Sequence, residues 1–164
     1  MTQAVYLTEE GQKSIRAELE HMIKVDRPRV ADRLSEAKQL GDLSENAEYE
    51  DARAEQSFLE GRIQMLESQL RHAVLIEPSD GDIVELGSSV KIRDDEGEEG
   101  TYTVVGMAEA SPKAGRISNV SPVGRALMGG KAGDVVVART PSGELNYTIL
   151  AVGAKAAKAK KKKS

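Results

Sequence analysis

The sequence predicts an α+β protein in which an antiparallel coiled-coil hairpin of helices, at residues 1–77, precedes a small α+β domain at residues 78–153. The first region contains only one proline after Thr8, at position 28, and is rich in residues that favour helix. The second region opens with turn residues at 77–82 and continues as short β-branched segments. This change of pattern indicates two structural regions.

Each half of the first region carries an apolar stripe at helical spacing. In the second half the stripe follows heptad spacing, which keeps one narrow seam facing a partner helix. Its members are Leu59, Ile63, Leu66, Leu70 and Ala73. The first-half stripe is similar but interrupted: Leu19, Ile23, Val30, Leu34 and Ala37. Because proline removes an amide donor and clashes with the preceding turn, we expect a kink or short break near Pro28.

The two stripes are separated by a turn at residues 41–46. Gly41 can adopt the left-handed conformation that ends a helix, and Asp42 or Ser44 can cap the next one. Two helices of roughly thirty residues, rising about 1.5 Å per residue, give a hairpin about 45 Å long. Residues 41–46 form its acidic tip, which Gly41, Leu43, Ser44 and Asn46 would shape.

In the second region, short apolar and β-branched runs between turn signals predict a sheet. The predicted strands are Ile83–Leu86, Ser89–Arg93, Thr101–Val105, Val135–Thr140 and Leu145–Val152. Acidic residues at 94–100 and the sequence Pro141-Ser142-Gly143 are typical of hairpin turns. Ser121 followed by Pro122, with Gly129 beyond, predicts a short capped helix.

Charge divides the chain into an acidic body and a basic tail. Six of the 23 basic residues are lysines at or after position 155, so residues 1–154 carry 17 basic and 27 acidic groups. We expect residues 154–164 to be disordered, since an Ala/Lys segment cannot bury enough apolar surface to fold. The tail is either a solubilising extension or a weak electrostatic contact for nucleic acid, and charge alone favours the former.

Composition excludes several classes of site. The chain contains no cysteine and no tryptophan, so disulfides, thiolate metal sites and cysteine nucleophiles are absent. Its apolar runs are too short to cross a bilayer, and its first residues lack signal-peptide character, so we expect a cytoplasmic protein without a membrane partner. We also expect a monomer, because the two stripes can cover each other.

The tip carries a local excess of negative charge. Five acids fall within ten residues, namely Asp42, Glu45, Glu48, Glu50 and Asp51. Asp42 and Glu45 have the spacing of a capping box, which on spacing alone is the favoured interpretation. The alternative is half of an Mg²⁺ site, since Mg²⁺ usually takes one or two protein carboxylates and keeps several waters. Such an open metal would need another macromolecule to complete its shell.

The sequence LGDLSENAEY at residues 40–49 resembles the tip motif of the Gre family of bacterial transcript cleavage factors. Similarity extends to LTEEG at 7–11, Arg27-Pro28 and SPVGRAL at 121–127, and so covers the chain through about residue 152. Only the lysine tail lies outside it. The resemblance implies an FKBP-like fold for the second domain.

The resemblance implies that the hairpin enters the secondary channel of a backtracked bacterial RNA polymerase and reaches the nascent RNA 3′ end. There Asp42 and Glu45 would share a catalytic Mg²⁺ with the polymerase and help position the attacking water. The factor would rescue arrested complexes by activating the polymerase's own cleavage of RNA, without being an enzyme itself. The isolated protein would hold no metal. An alternative is a Gre-like regulator that enters the same channel and inhibits cleavage.

By the same analogy the second domain grips the polymerase, and Ser121, Pro122 and Val123 are the candidate docking residues. The competing interpretation is that these residues only cap and pack their helix. Two rival functions are a peptidyl-prolyl isomerase, which would need an aromatic-lined pocket, and a coiled-coil adaptor. Residues 80–152 contain only Tyr102 and Tyr147 as aromatic residues, which disfavours the isomerase.

Overall fold

The computed structural model describes residues 3–41, 46–153 and 156, and these form an α+β protein, as predicted. The chain divides into two compact units. We call Gln12–His72 the hairpin unit, and the residues up to Gly11 together with those from Ala73 onward the sheet unit. Within the described part of the chain, no helix is both long and apolar enough to cross a membrane.

The hairpin unit is built from helices that pack along the predicted seam. Its elements are α1 (Glu9–His21), a π-helical turn (Met22–Asp26), α2 (Arg27–Gln39) and α3 (Ala47–Arg71). Val30 of α2 packs with Leu59 and Ile63 of α3 in a buried core. The seam prediction is confirmed for Leu59, Ile63 and Leu66, which are all buried, but Ala73 lies in a strand.

Near Pro28 the structure has neither of the expected forms of a break in the chain's helical path: a π-helical turn, Met22–Asp26, connects α1 directly to α2. Pro28 stands in the first turn of α2, where a missing amide hydrogen costs little. A regular helix would also bring the proline ring against the carbonyl of Lys24, four residues earlier. The wider turn relieves this conflict without ending the helical path.

In the part of the chain that the structure describes, the sheet unit contains a five-stranded sheet, a two-stranded sheet, one short helix and the 3₁₀ turns Met107–Glu109 and Pro112–Ala114. The strands are β1 (Val5–Thr8), β2 (Ala73–Ile76), β3 (Ser89–Asp94), β4 (Glu99–Val105), β5 (Arg116–Ser118), β6 (Val135–Thr140) and β7 (Gly143–Val152), and the helix is α4 (Pro122–Leu127). The larger sheet has the order β5-β4-β3-β7-β6, antiparallel except for the β4–β5 pair. Its core includes Val90, Val104, Leu127 and Ile149.

The structure places the boundary between units differently from the expected division at residue 77. Strand β1 pairs in parallel with β2, from Val5 opposite Ala73 to Thr8 opposite Ile76. Both strands therefore belong to the sheet unit, although the predicted hairpin region, residues 1–77, included them. This pairing joins segments far apart in sequence, which local periodicity does not report.

Two further expectations need correction. Ile83–Leu86 is not a strand: Ile83 makes only an isolated bridge to Lys131, and Val84 pairs with the loop after α4 by donating to the Gly130 carbonyl at 2.8 Å. Disorder from residue 154 is wrong at Ala156, whose side chain is buried and whose amide donates to the Gly153 carbonyl at 3.1 Å. The rest of the predicted disordered tail lies outside the described residues.

Candidate functional site

The end of the hairpin is framed by two well-defined helix ends. Helix α2 closes at Leu40, whose amide donates to the Ala37 carbonyl at 3.2 Å, and the Leu40 side chain is exposed. Gly41 follows with φ of 114°, so the left-handed conformation predicted for it is confirmed. Helix α3 then begins after Asn46. The tip residues Asp42, Leu43, Ser44 and Glu45 lie outside the described residues, and their proposed roles stay predictions.

Asn46 organises the tip by bonding to both helices. Its Oδ1 accepts a hydrogen bond from the Tyr49 amide at 3.1 Å, which makes it the N-cap of α3. Its Nδ2 donates to the Ala37 carbonyl of α2 at 2.6 Å. The prediction that Asp42 or Ser44 caps the second helix is therefore wrong. An amide side chain can accept at one helix and donate to the other, whereas a carboxylate can only accept.

A ladder of ion pairs, which we call the Arg–Glu ladder, joins the helices behind the tip. On α2, Arg33 donates to Glu55 at 2.6 Å and approaches Glu48 at 3.3 Å, and Arg29 also bonds to Glu55, at 2.5 Å. Further back, Arg27 makes two bonds of 2.8 Å to Glu60. The last pair is Arg62 with Glu18 of α1, at 2.8 Å. Sequence spacing did not reveal these pairs, since they join residues 15 to 44 positions apart.

The ladder shifts the protonation of its members in the directions that favour their charged forms. Hydrogen bonds from Arg29 and then Arg33 lower the pKa of Glu55, and the hydrogen bond from Arg27 lowers the pKa of Glu60. Hydrogen bonds to Glu55 and Glu48 raise the pKa of Arg33. Because the groups are exposed, each ion pair contributes little to stability on its own.

The buried seam residues nearest to the described end of the hairpin are small. They are Ala37 of α2 and Ala52 of α3, with 3% and 0% exposure. The distance between packed helices depends on the size of the side chains at their contact, so alanines permit close approach.

The described acids at this end do not assemble a metal site of their own. Across residues 3–41, 46–153 and 156, no group of three or more metal-ligating side chains comes together. Asn46 is engaged at both ends of its amide, and Glu48 lies beside Arg33. Asp42 and Glu45 thus remain the candidate ligands, and two carboxylates are the kind of partial donor set that a hydrated Mg²⁺ accepts.

The candidate docking residues have clear structural roles. Ser121 Oγ accepts from the Gly124 amide at 3.1 Å and donates to the Ser118 carbonyl at 2.7 Å, which confirms its capping role. Val123 packs against the sheet core, whereas Pro122 is exposed. Docking stays a prediction, and Pro122 is the most exposed of the three, since Ser121 and Val123 are half-buried.

The sheet unit has no aromatic pocket of the kind that the isomerase hypothesis requires, within the part of the chain that the structure describes. A cavity of about 760 Å³ is lined by Thr8, Glu9, Glu10, Glu77, Arg116 and other polar or aliphatic residues. Tyr102 and Tyr147 instead pack against the sheet core. Burial, then the neighbouring Tyr102 and Asp94, raises the pKa of Tyr147.

Comparison with known proteins covers nearly the whole described chain. Residues 5–75 match the family model "Transcription elongation factor, N-terminal", and residues 78–154 match "Transcription elongation factor, GreA/GreB, C-term". Transcription elongation factor GreA of Chloroflexus aggregans is 49% identical over 150 residues, which is 90% of this chain and 96% of that protein. GreA of Geobacillus kaustophilus is 48% identical over 149 residues, 89% of this chain and 94% of that protein.

Among solved structures, GreA factor homolog 1 (Gfh1) of Thermus thermophilus is 32% identical, with a TM-score of 0.40. That match covers 93% of this chain and 100% of Gfh1. The family assignment rests on the sequence matches, which include both halves of the chain and relatives of nearly equal length. The chain belongs to the GreA/GreB family of transcription elongation factors.

Proposed function

We propose that this transcription elongation factor inserts its hairpin tip into the secondary channel of bacterial RNA polymerase and stimulates the polymerase's own Mg²⁺-dependent cleavage of backtracked RNA. Asp42 and Glu45 are the residues that act at the polymerase centre. The protein is an accessory factor in this proposal, and the bond-breaking machinery belongs to the polymerase.

The observation that carries the proposal is the double bonding of Asn46. Capping was the strongest competing explanation for acids at the tip, and Asn46 supplies the cap of α3. Because Asn46 is the N-cap of α3, the capping-box spacing of Asp42 and Glu45 does not describe the start of this helix. The proposal therefore gives these two acids a role toward an external partner.

The hairpin supports the proposal through its small seam residues and its cross-bracing. The buried side chains nearest to the described end are Ala37 and Ala52, and small side chains permit the close helix packing that suits a confined channel. Behind them the Arg–Glu ladder joins α3 to α2 and to α1 at several levels. In this proposal the bracing limits the motion of the helices that lead to the tip, and correct positioning is a large part of catalytic assistance.

Within the complex, the chain's own contribution would be two carboxylates and an anchored turn. Asp42 and Glu45 would supply oxygen ligands and accept a proton or hydrogen bond from the attacking water. The shared Mg²⁺, when bound, would supply charge stabilisation at the phosphate and lower the pKa of that water. Asn46 would hold the turn so that the carboxylates keep their separation during the reaction.

A cleavage assay on a stalled, backtracked elongation complex tests the proposal. We expect the wild-type protein to accelerate RNA cleavage and Asp42→Asn and Glu45→Gln to lose most of that acceleration with unchanged helix content. Glu50→Gln is the matched control, since it removes one exposed acid from the first turn of α3 and leaves both proposed ligands in the sequence. Full stimulation by both tip variants, RNA cleavage by the factor alone, or inhibition by the wild type would refute the proposal.

A further inference from the structure

The cavity of about 760 Å³ in the sheet unit is lined by three neighbouring strands of the larger sheet. Ser89 of β3, Thr103 of β4 and Arg116 of β5 all contribute to its surface. Ser89 pairs with Thr103, and Thr103 pairs with Arg116, so the three residues form one row across the sheet. Residues paired in this way place their side chains on the same face, on strands about 4.8 Å apart. Two hydroxyls and one guanidinium are therefore gathered along one line, which we call the polar row.

Arg116 has a buried donor that the protein does not use. The residue is half-buried, and its Nε is shielded from solvent without a hydrogen-bond partner among the described residues. A buried polar group without a partner is costly, and most such groups in folded proteins are hydrogen bonded. A ligand in the cavity that accepts a hydrogen bond from this Nε would remove the cost.

The donors of the polar row select the kind of group that binds there. Nε and one Nη of a guanidinium lie along one edge of its plane, and two parallel hydrogen bonds from that edge match the two oxygens of a carboxylate. The hydroxyls of Ser89 and Thr103 can each donate to the same anion. The polar row therefore fits a carboxylate group.

The remaining charges of the cavity restrict the ligand further. Three exposed glutamates also line it, Glu9, Glu10 and Glu77. Negative charges close to the site repel a dianion such as phosphate more strongly than a monocarboxylate. They also attract a positively charged group on the part of the ligand that lies away from Arg116. The cavity thus combines one site for a carboxylate with a surrounding that favours an ammonium group.

The edge of the sheet beside Arg116 is not available to an added peptide strand. The Ser111 amide donates to the Arg116 carbonyl at 2.9 Å, and the Arg116 amide donates to the Ser111 carbonyl at 3.0 Å. A peptide that extended the sheet would need these same backbone groups. The cavity volume lies in the range of small-molecule sites, and Leu75 and Val105 add aliphatic surface to its lining. A small ligand with a short aliphatic chain fits these features better than an extended peptide.

From this arrangement we infer that the cavity is a binding site for a small aliphatic amino carboxylate, whose carboxylate is bound by Arg116. The hydroxyls of the polar row donate to the same carboxylate, and the aliphatic side chains contact the carbon chain of the ligand. The glutamates provide the negative surrounding for its ammonium group. All of the lining residues belong to the sheet unit, so the inference does not depend on the hairpin or on the proposed function.

Titration of the full chain, followed by amide chemical shifts, tests the site. The probes are 4-aminobutyrate, butyrate and inorganic phosphate at constant pH and ionic strength. We expect saturable shifts at the amides of Ser89, Thr103 and Arg116, with 4-aminobutyrate binding more tightly than butyrate and butyrate more tightly than phosphate. A response to 4-aminobutyrate that does not saturate would overturn the inference. So would phosphate or butyrate binding at least as tightly as 4-aminobutyrate.

Variants of Arg116 test its role as the carboxylate-binding residue. Arg116→Gln should raise the Kd for 4-aminobutyrate by about tenfold or more, because hydrogen bonds between charged groups are lost. Arg116→Lys keeps the charge but lacks the two-donor edge, so it should weaken binding almost as much. Arg125→Gln removes an exposed arginine outside the cavity and should bind as the parent does. Parental affinity in both Arg116 variants would contradict the inference.

Thr103→Val tests the polar row with a substitution that keeps the β-branched shape. Loss of one neutral donor should raise the Kd for 4-aminobutyrate by about threefold to tenfold. In every variant, the amide of Ile149 reports on the sheet core, and a parental chemical shift there shows that the core is intact. Saturating 4-aminobutyrate should raise the melting temperature of the parent and of Arg125→Gln but not of Arg116→Gln. An equal rise in Arg116→Gln would place the ligand elsewhere and refute the assignment.

Discussion

Replacing Asn46 by alanine removes both side-chain hydrogen bonds that this residue makes, one to α3 and one to α2. The substitution deletes the acceptor for the Tyr49 amide, at 3.1 Å, and the donor to the Ala37 carbonyl, at 2.6 Å. Loss of an N-cap typically costs about 1 kcal/mol. Loss of the second hydrogen bond costs about another 1 kcal/mol. We expect the first turn of α3 to open about 30 times more often, since each 1.4 kcal/mol corresponds to roughly a factor of ten.

Amide hydrogen exchange measures this opening at the residue concerned. The Tyr49 amide should exchange about 30-fold faster in Asn46→Ala if its exchange proceeds through local fraying. Amides in the middle of α3, such as that of Ile63, should exchange at the parental rate because the core there is untouched. The maximal rate of stimulated RNA cleavage should also fall, because the turn that presents Asp42 and Glu45 has lost its anchor.

Asn46→Asp separates the two contributions. The carboxylate still accepts from the Tyr49 amide and keeps the cap, but it cannot donate to the Ala37 carbonyl. We expect an intermediate loss of cleavage with Tyr49 exchange close to the parental rate. If Asn46→Ala left both the Tyr49 exchange rate and the cleavage rate unchanged, the argument that Asn46 organises the tip would be wrong.

Two further predictions concern the ladder and the sheet unit. Because Arg29 and Arg33 lower the pKa of Glu55, the stabilisation from this carboxylate is present above its unfolded pKa of about 4.3 and is lost as the pH falls through the lower folded value. Thermal melts from pH 7 to pH 3 should therefore show a smaller acid-induced drop in Glu55→Gln, and an identical drop would contradict the assignment. Gly124→Ala should destabilise the sheet unit by about 1–3 kcal/mol, since its Cβ would overlap the Ser118 carbonyl oxygen. Denaturant unfolding measures that loss, and Gly61→Ala, at an open position on α3, is the control.

Much of the architecture could be predicted because it follows from local periodicity and turn chemistry. The seam residues Leu59, Ile63 and Leu66 repeat at heptad spacing, and Gly41 and the Ser121-Pro122 pair carry their conformational preferences with them. Pro28 indicated an irregularity in this part of the helix, but the sequence predicted a kink or short break and not the π-helical turn. Such features depend on neighbours within one or two turns of the chain.

The features that could not be predicted depend on contacts between distant residues. Strand β1 lies in the region predicted as a helical hairpin, and no local signal indicates that it pairs with β2, nearly 70 residues later. Asn46 is the N-cap of α3, and its side chain also donates to the Ala37 carbonyl. A capping pattern in the sequence does not report that second contact. The bond between Glu109 and Thr8 spans 101 positions and has no local signal. The roles of Asp42 and Glu45 depend on the family resemblance, and the described structure gives the ends of α2 and α3 on either side of them.

The Mg²⁺ dependence of stimulated cleavage tests the central claim most directly. If the tip lends carboxylates to a shared ion, the wild-type factor and Glu50→Gln should lower the Mg²⁺ concentration for half-maximal cleavage by the stalled polymerase. Asp42→Asn and Glu45→Gln should leave that concentration close to its value without the factor, even at saturating protein. Tip variants that lower the Mg²⁺ requirement as strongly as the wild type would contradict the claim.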